Sequence, residues 1–245
     1  MNLVLPLYVL AMLSAGALPA QLIIRQAPES DRTFDEYVKA AEAKFDWQAH
    51  IPLDKRGVAV VISGGQKATV EAPGALIHDW AGAMLVPGAT LEKALAVLES
   101  YGDYKSMYAP HVTDSKVNSH EGNRWRIYLE LHRGGIVPAN LATDYDVEYR
   151  PLGNRRWAML SRSTKVAELD RGRELPAGTG HGFLWRINAY WTLEQRPAGV
   201  YLECRSISMS RDIPSGLAWV IKPYVTALPR DSLRDTLQAT ARALK

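Results

Sequence analysis

The sequence contains few residues at the spacings that metal binding or nucleophilic catalysis requires. Its six histidines share no His-x-x-x-His or other paired ligand spacing, so we expect no metal site. His78 and Asp79 have the right residue types for an acid–base pair, but adjacent residues of a strand point to opposite faces. Cys204, the single cysteine, lies in a predicted strand without an activating partner, which favours a buried packing role.

Two glycine-containing segments resemble nucleotide-binding motifs only in composition. Residues 63–67 lack the first glycine and the spacing of a phosphate-binding loop and predict a turn. Residues 178–183 precede a strand and lack the third glycine of a dinucleotide-binding fingerprint, so they predict a flexible hairpin or gating loop. No Gly-x-Ser-x-Gly elbow occurs. We therefore assign no catalytic residue and no cofactor, and a non-enzymatic function is favoured.

The composition is that of a globular protein with a sizeable core. The chain has 245 residues, of which 47% are hydrophobic and 22% charged, so bulk disorder is excluded. A formal net charge of +3, scattered along the chain, does not indicate a nucleic-acid partner. A single cysteine excludes an internal disulfide bond.

The first twenty residues differ from the rest of the chain. Residues 1–20 carry no charge and combine a short apolar core with small residues suited to signal-peptide cleavage. The stretch is shorter than the ~20 apolar residues of a membrane span and is interrupted by Pro6 and Pro19. No Lys or Arg precedes the apolar core, so the alternative is an uncleaved anchor. We expect export to the periplasm or the exterior if the segment is cleaved, and no stable membrane span in the mature chain.

Residues 21–67 predict an N-terminal extension made of a helix and a strand. A capping box of Thr33 and Glu36 predicts the start of the helix, and residues 58–62 predict a buried strand. Further on, Thr90 is the expected N-cap of a second helix, and a third short helix is expected before Pro110.

The second half of the chain alternates apolar and polar residues and ends in a helix. Period-2 alternation predicts consecutive antiparallel strands with one apolar face each. The last strand, residues 201–210, is ambiguous, because either parity could face the core. An apolar stripe after residue 217 predicts a long C-terminal helix that Pro223 should bend, and its apolar side requires burial against the sheet.

This order of elements resembles the START/polyketide cyclase/birch-pollen-allergen (SRPBCC) superfamily over about residues 68–245. The resemblance lies in three segments. Residues 86–95 have a strand and a proline followed by a Leu-rich helix, and residues 101–110 are rich in Tyr and end in proline. The third segment is the last strand, which is followed by Trp219. It implies an α+β helix-grip fold, in which a curved antiparallel sheet wraps around the long C-terminal helix, with the N-terminal helical extension added.

The resemblance also implies a cavity between the sheet and the C-terminal helix, with a small hydrophobic or lipid-like molecule as the partner. The expected ligand-binding residues are the apolar and aromatic strand residues, two polar residues of the last strand and two residues of the final helix: Trp125, Ile127, Leu129, Tyr145, Trp157, Met159, Trp185, Ile187, Glu203, Arg205, Trp219 and Tyr224. The alternative is a polyketide cyclase or aromatase in which Arg205, Glu203 or Tyr128 positions the substrate. Solvated cross-strand pairs on the outer surface are the simpler interpretation of such charges.

Overall fold

A computed structural model describes residues 23–47, 50–55, 57–62, 69–134, 138–213 and 218–245. The predicted signal segment, residues 1–20, and the predicted turn at residues 63–67 lie outside these ranges. Within them, no helix combines the length and the apolar character needed to cross a bilayer.

Antiparallel strands are the main secondary structure of the described residues. In chain order they are β1 (Ile24–Arg25), β2 (Val58–Ile62), β3 (Thr69–Ala72), β4 (Ala75–Pro87), β5 (Val112–Glu121), β6 (Arg124–Arg133), β7 (Ala139–Gly153), β8 (Arg156–Asp170), β9 (Arg173–Glu174), β10 (Thr179–Gly180), β11 (Arg186–Arg196) and β12 (Gly199–Arg211). The main sheet has the order β2-β4-β12-β11-β8-β7-β6-β5, with β3 on the same edge of β4 as β2 and β9 on β8. β1 and β10 form a separate pair.

In the described ranges, four α-helices accompany the sheet. They are α1 (Pro28–Ala43), α2 (Leu91–Glu99), α3 (Tyr104–Met107), which follows a 3-10 turn, and α4 (Ala218–Ala243). The Thr90 hydroxyl accepts a hydrogen bond from the Lys93 amide over 3.2 Å, which confirms the predicted N-cap of α2. The predicted start of α1 at Thr33 is wrong. The helix begins at Pro28, since a proline fits the first turn, where its missing N–H leaves no bond unmade.

The sheet has an inner face, which packs against α2, α3 and α4, and an outer face, which packs against α1. On the inner side, Leu233 and Leu237 of α4 and Leu244, which directly follows it, are buried in one cluster with the apolar residues of β4, β6, β7, β8, β11 and β12. On the outer side, Phe34 and Val38 of α1 are buried against other residues of β4, β8, β11 and β12. A sheet covered by helices on both sides buries apolar residues of both parities, so alternation is weak in its central strands.

The α+β prediction of an antiparallel sheet with the C-terminal helix packed on one face is confirmed. The sheet is not closed, because β2 and β5 form its edges. The sequence interpretation missed β5, because nearly all of its residues after Val112 are exposed and such a strand lacks an apolar face to recognise. The predicted N-terminal helix, α1, packs on the outer face of the sheet.

Candidate functional site

Seven of the twelve predicted ligand-binding residues lie on the inner face. They belong to β6, β7, β8 and β11 and pack in or against the cluster that includes α4: Trp125, Ile127, Leu129, Tyr145, Trp157, Met159 and Ile187. Trp219 and Tyr224 belong to α4, but their side chains lie outside the described residues. The space predicted beneath α4 stays a prediction, since the side chains of residues 218–226 are not described.

The structure places three of the predicted ligand-binding residues on the outer face. In β12, Val200, Leu202 and Cys204 belong to the inner cluster, so Glu203 and Arg205 have the opposite parity. Trp185 precedes β11 and is buried in the outer cluster. None of these three side chains lines the interface with α4, and their prediction as part of that wall is wrong. The parity of β12 was ambiguous because both of its faces are covered.

On the outer face, the Arg205 side chain forms an ion pair with Asp79 and contacts an aromatic ring. Its guanidinium donates to Asp79 through Nε at 2.8 Å and through Nη2 at 2.5 Å. The Tyr37 hydroxyl of α1 donates to Asp79 Oδ2 over 2.7 Å, and burial together with this bond raises the pKa of Tyr37 to about 12. The Phe45 ring lies 4.9 Å from the guanidinium carbon of Arg205. This cluster joins the N-terminal segment to the sheet.

Glu203 also makes its hydrogen bonds within the protein, one of them to the N-terminal extension. Its carboxylate accepts a hydrogen bond from the Tyr201 hydroxyl at 2.6 Å and one from the Ile51 amide at 3.1 Å. Tyr128, which alternates with the inner residues Ile127 and Leu129, donates to Glu130 Oε1 at 3.0 Å. The three polar residues of the cyclase alternative therefore point away from α4.

A different set of polar residues lies on the inner face, in neighbouring stretches of β4 and β12. We call these residues the polar patch: His78, Trp80, Ser206, Ser208 and Ser210. In the strand register Ser208 is opposite His78 and Ser206 is opposite Trp80. His78 and Trp80 are only 2% and 7% exposed. Trp80 also belongs to the buried cluster that contains the α4 leucines, so the polar patch borders the apolar inner wall.

The polar patch contains hydrogen-bonding groups that the described protein leaves unused. His78 Nε2 lies 3.0 Å from Ser210 Oγ, and this hydrogen bond engages one side of the imidazole. The other nitrogen, Nδ1, and the indole Nε1 of Trp80 are buried without a hydrogen-bond partner among the described residues. Burial lowers the pKa of His78 to about 4, so the imidazole is neutral at physiological pH. Such unmade bonds are uncommon in proteins and call for an explanation.

His78 and Asp79 lie on opposite faces of β4, as their adjacent positions in a strand predict. Asp79 pairs with Arg205 on the outer face, whereas His78 contacts Ser210 on the inner face. Sequence reasoning considered His78 for a metal site and for an acid–base pair with Asp79, and it missed the patch. Two signals pointed to it: a His and a Trp in the otherwise apolar strand β4, and serines at alternating positions 206, 208 and 210.

Two further clefts lie on the described surface. An open cleft of about 460 Å³ is lined largely by charged residues such as Arg124, Glu148 and Arg150, and a smaller one of about 350 Å³ by residues such as His111 and Asp235. The charged lining of the larger cleft does not suit a hydrophobic ligand. Among the described residues, no group of three or more His, Cys, Asp or Glu side chains is placed to hold a metal ion.

Comparison with known proteins finds similarity in structure only. No family model matches the sequence, and no curated protein matches it either. A protein from Thermus thermophilus is 14% identical, with 68% of this chain and 96% of the other covered at a TM-score of 0.49. A STAR-related lipid transfer protein from Xanthomonas axonopodis is 19% identical, with 74% of this chain and 99% of the other covered at a TM-score of 0.42.

A third similar structure is an enzyme, the Zhui aromatase/cyclase from Streptomyces sp. R1128. It is 11% identical, and 68% of this chain and 93% of the enzyme are covered at a TM-score of 0.48. Identities this low concern the fold alone, and the activities in these names belong to those proteins. The antiparallel sheet and the C-terminal helix packed on its inner face form a helix-grip arrangement, and START-domain proteins and polyketide aromatase/cyclases are among the solved structures similar to this chain.

Proposed function

We propose that this protein binds a small hydrophobic or lipid-like molecule between the inner face of its sheet and α4, as a carrier or sensor rather than as an enzyme. The inner face supplies a wall of aromatic and aliphatic side chains that includes Trp157, Met159 and Trp191. Burial of apolar surface stabilises such a complex by ~25 cal/mol per Å², from which the cost of ordering the ligand must be subtracted.

The observation that carries the proposal is the unused hydrogen-bonding capacity beside this wall. A buried polar group without a partner costs about 1–3 kcal/mol. Trp80 Nε1 and His78 Nδ1 are two such groups on one face of β4. A ligand with an apolar body and one polar end would bury the body against the wall and supply the missing partner at the patch. Binding sites for small molecules combine these two features.

The catalytic alternative receives no comparable support. The residues that it named, Arg205, Glu203 and Tyr128, make their hydrogen bonds on the outer side of the sheet. The inner-face pair of His78 and Ser210 has two members of a nucleophilic triad, but Asp79, the adjacent carboxylate, points to the other face. A serine whose histidine has no orienting carboxylate is poorly suited to acyl transfer.

Two adjacent residues of β8 provide a matched test of the binding face. Met159 is 5% exposed on the inner face and Leu160 is 2% exposed on the outer face. Protein purified from its natural host should release an apolar molecule on denaturing extraction, and native mass spectrometry should show the corresponding complex. Met159→Ala should change the bound fraction, whereas Leu160→Ala should only lower stability. An apo mass alone, combined with no binding of apolar probes, would overturn the proposal.

We also propose that the protein is exported, because residues 1–20 combine an uncharged apolar core with small residues at the expected cleavage region. N-terminal sequencing of the protein from its host should then begin near residues 18–21. An intact Met1 on protein from the host would contradict cleavage and favour an anchor.

A further inference from the structure

We infer that the ligand's polar end is an uncharged hydrogen-bonding group, a hydroxyl or a carbonyl, and that it lies against Trp80 and His78. This inference rests on the proposed function and specifies the class of ligand. The protein would then bind long-chain alcohols, sterol-like alcohols and ketones in preference to fatty-acid anions, phospholipids and cationic amphiphiles.

The two unused groups belong to neighbouring residues on one face of one strand. Residues two apart in a strand lie on the same face with α-carbons about 7 Å apart. His78 and Trp80 have this relationship in β4. The neighbouring strand brings Ser208 and Ser206 directly opposite them. The patch is therefore two strands wide and consists of an imidazole, an indole and hydroxyl groups.

The available atoms require a hydrogen-bond acceptor at Trp80 and suit a hydroxyl group at His78. An indole N–H can only donate, so the missing partner of Trp80 must be an acceptor such as a hydroxyl or carbonyl oxygen. The Ser210 hydroxyl lies 3.3 Å from the Arg211 carbonyl oxygen and donates to it, so that it can accept from the Nε2–H of His78, which leaves Nδ1 as an acceptor. In the other tautomer Nδ1 carries the proton and donates. A ligand hydroxyl satisfies either tautomer, because it both donates and accepts.

The surroundings of the patch favour a neutral end group over a charged one. In β4 and β12, the described residues that share the inner face with His78 are uncharged; they include Leu76, Met84, Leu202 and Cys204. In β3, Glu71 is opposite Leu76 on this face and is exposed, and its carboxylate offers no counter-ion to an anionic end group. Because burial lowers its pKa to about 4, His78 supplies no positive charge at neutral pH. A carboxylate or phosphate bound at this point would lose its hydration without gaining a counter-ion from these strands, which is unfavourable.

The test compares probes that share one chain and differ only in the end group: dodecan-1-ol, dodecanoate and dodecyltrimethylammonium, with dodecane as the apolar reference. Affinities are measured at neutral pH by titration calorimetry on the full chain. Dodecan-1-ol should bind at least about tenfold more tightly than either charged probe, the ratio expected for one additional buried hydrogen bond without a desolvated charge.

Two tryptophans form a matched pair for the second part of the test. Trp80 on the inner face and Trp185 on the outer face both have a buried indole N–H without a partner among the described residues. Trp80→Phe removes the donor and keeps an aromatic ring, so it should weaken dodecan-1-ol binding about five- to tenfold and leave dodecane unaffected. Trp185→Phe should change neither affinity.

The outcomes separate the inference from the function on which it rests. If none of the four probes binds, the proposed function fails. If dodecanoate or the ammonium probe binds as tightly as the alcohol, the function stands and the neutral end group is wrong. An equal loss of dodecan-1-ol affinity in Trp80→Phe and Trp185→Phe would overturn the assignment of the end group to the polar patch.

Discussion

Asp79 and Arg205 form a two-point ion pair on the outer face, with Nε–Oδ1 and Nη2–Oδ2 distances of 2.8 and 2.5 Å. Their side chains are only 2% and 16% exposed. Removal of one member of a buried pair leaves the other charge without compensation, so Asp79→Asn should lower the free energy of unfolding by about 3 kcal/mol. Urea denaturation measures this change.

The control for Asp79→Asn is a pair on the same sheet that is exposed to solvent. Asp146 lies 3.3 Å from Arg126, and these side chains are 59% and 73% exposed. Asp146→Asn should therefore change the free energy of unfolding by under about 1 kcal/mol. Equal effects of the two substitutions would show that the Asp79–Arg205 pair is not sequestered from water.

The Asp79–Arg205 pair also shows why sequence alone could not assign the faces of the sheet. The alternation in β6 and β7 indicated the inner residues Ile127 and Tyr145 correctly, because their neighbours are polar. In β12, Ile207 and Met209 are buried under α1 on one face and Leu202 under α4 on the other, so polarity could not distinguish the two parities. Which charges are buried depends on α1, whose packing partner is distant in sequence.

His78 makes the stability of the fold sensitive to acid. Burial lowers the pKa of His78 from 6.5 to about 4 in the folded protein, so the unfolded chain binds the proton more readily between these values. The contribution of this pKa difference to the free energy of unfolding is fully present above pH 6.5 and is lost as the pH falls towards 4. Between neutral pH and the folded pKa the loss amounts to ~3 kcal/mol.

His78→Gln retains a polar partner for Ser210 but cannot take up this proton. Denaturant titrations at neutral pH and near pH 4 should show that the variant loses ~3 kcal/mol less than the wild-type protein over that interval. Identical pH profiles for the two proteins would mean that His78 is accessible to protons in the folded state.

The N-terminal helix contributes directly to the stability of the sheet. Phe34 of α1 is 0% exposed and belongs to the outer cluster with Leu160, Ile207 and Met209. Phe34→Ala should cost about 3–5 kcal/mol, because the loss of a buried aromatic ring leaves a cavity. Lys39→Ala, an exposed position in the same helix, should stay within about 0.5 kcal/mol of the wild type. If Phe34→Ala were equally mild, α1 would not be part of the folded core.

The loop after β10 is built around one buried carboxylate. Glu168 accepts hydrogen bonds from the amides of His181, Gly182 and Phe183 at 2.7, 2.7 and 3.1 Å. Gly180 has a φ of +125°, and a Cβ there would lie 2.5 Å from Glu168 Oε2. Gly180→Ala should therefore combine backbone strain with a clash and destabilise the protein by about 2 kcal/mol or more.

Gly122 is the appropriate comparison for Gly180, since its φ is +56° and no atom lies within 4 Å of its Cβ position. Gly122→Ala should cost only about 1 kcal/mol, the strain of a left-handed backbone. Hydrogen exchange of the 181–183 amides should accelerate in Gly180→Ala and not in Gly122→Ala. Unchanged exchange in both variants would contradict the role of the Glu168 carboxylate in holding the loop.

Cys204 reports on the inner face directly, because it is the single cysteine and is 2% exposed beneath the α4 side of the sheet. Burial raises the pKa of its thiol well above the usual range, so little thiolate forms in the folded protein. Modification by a thiol reagent should proceed only through opening of the structure and be at least ~100-fold slower than in urea. A bound ligand that stabilises the closed form should slow it further. Rapid labelling of the native protein would show that water and reagents reach the inner face freely, which a dry hydrophobic binding site does not allow.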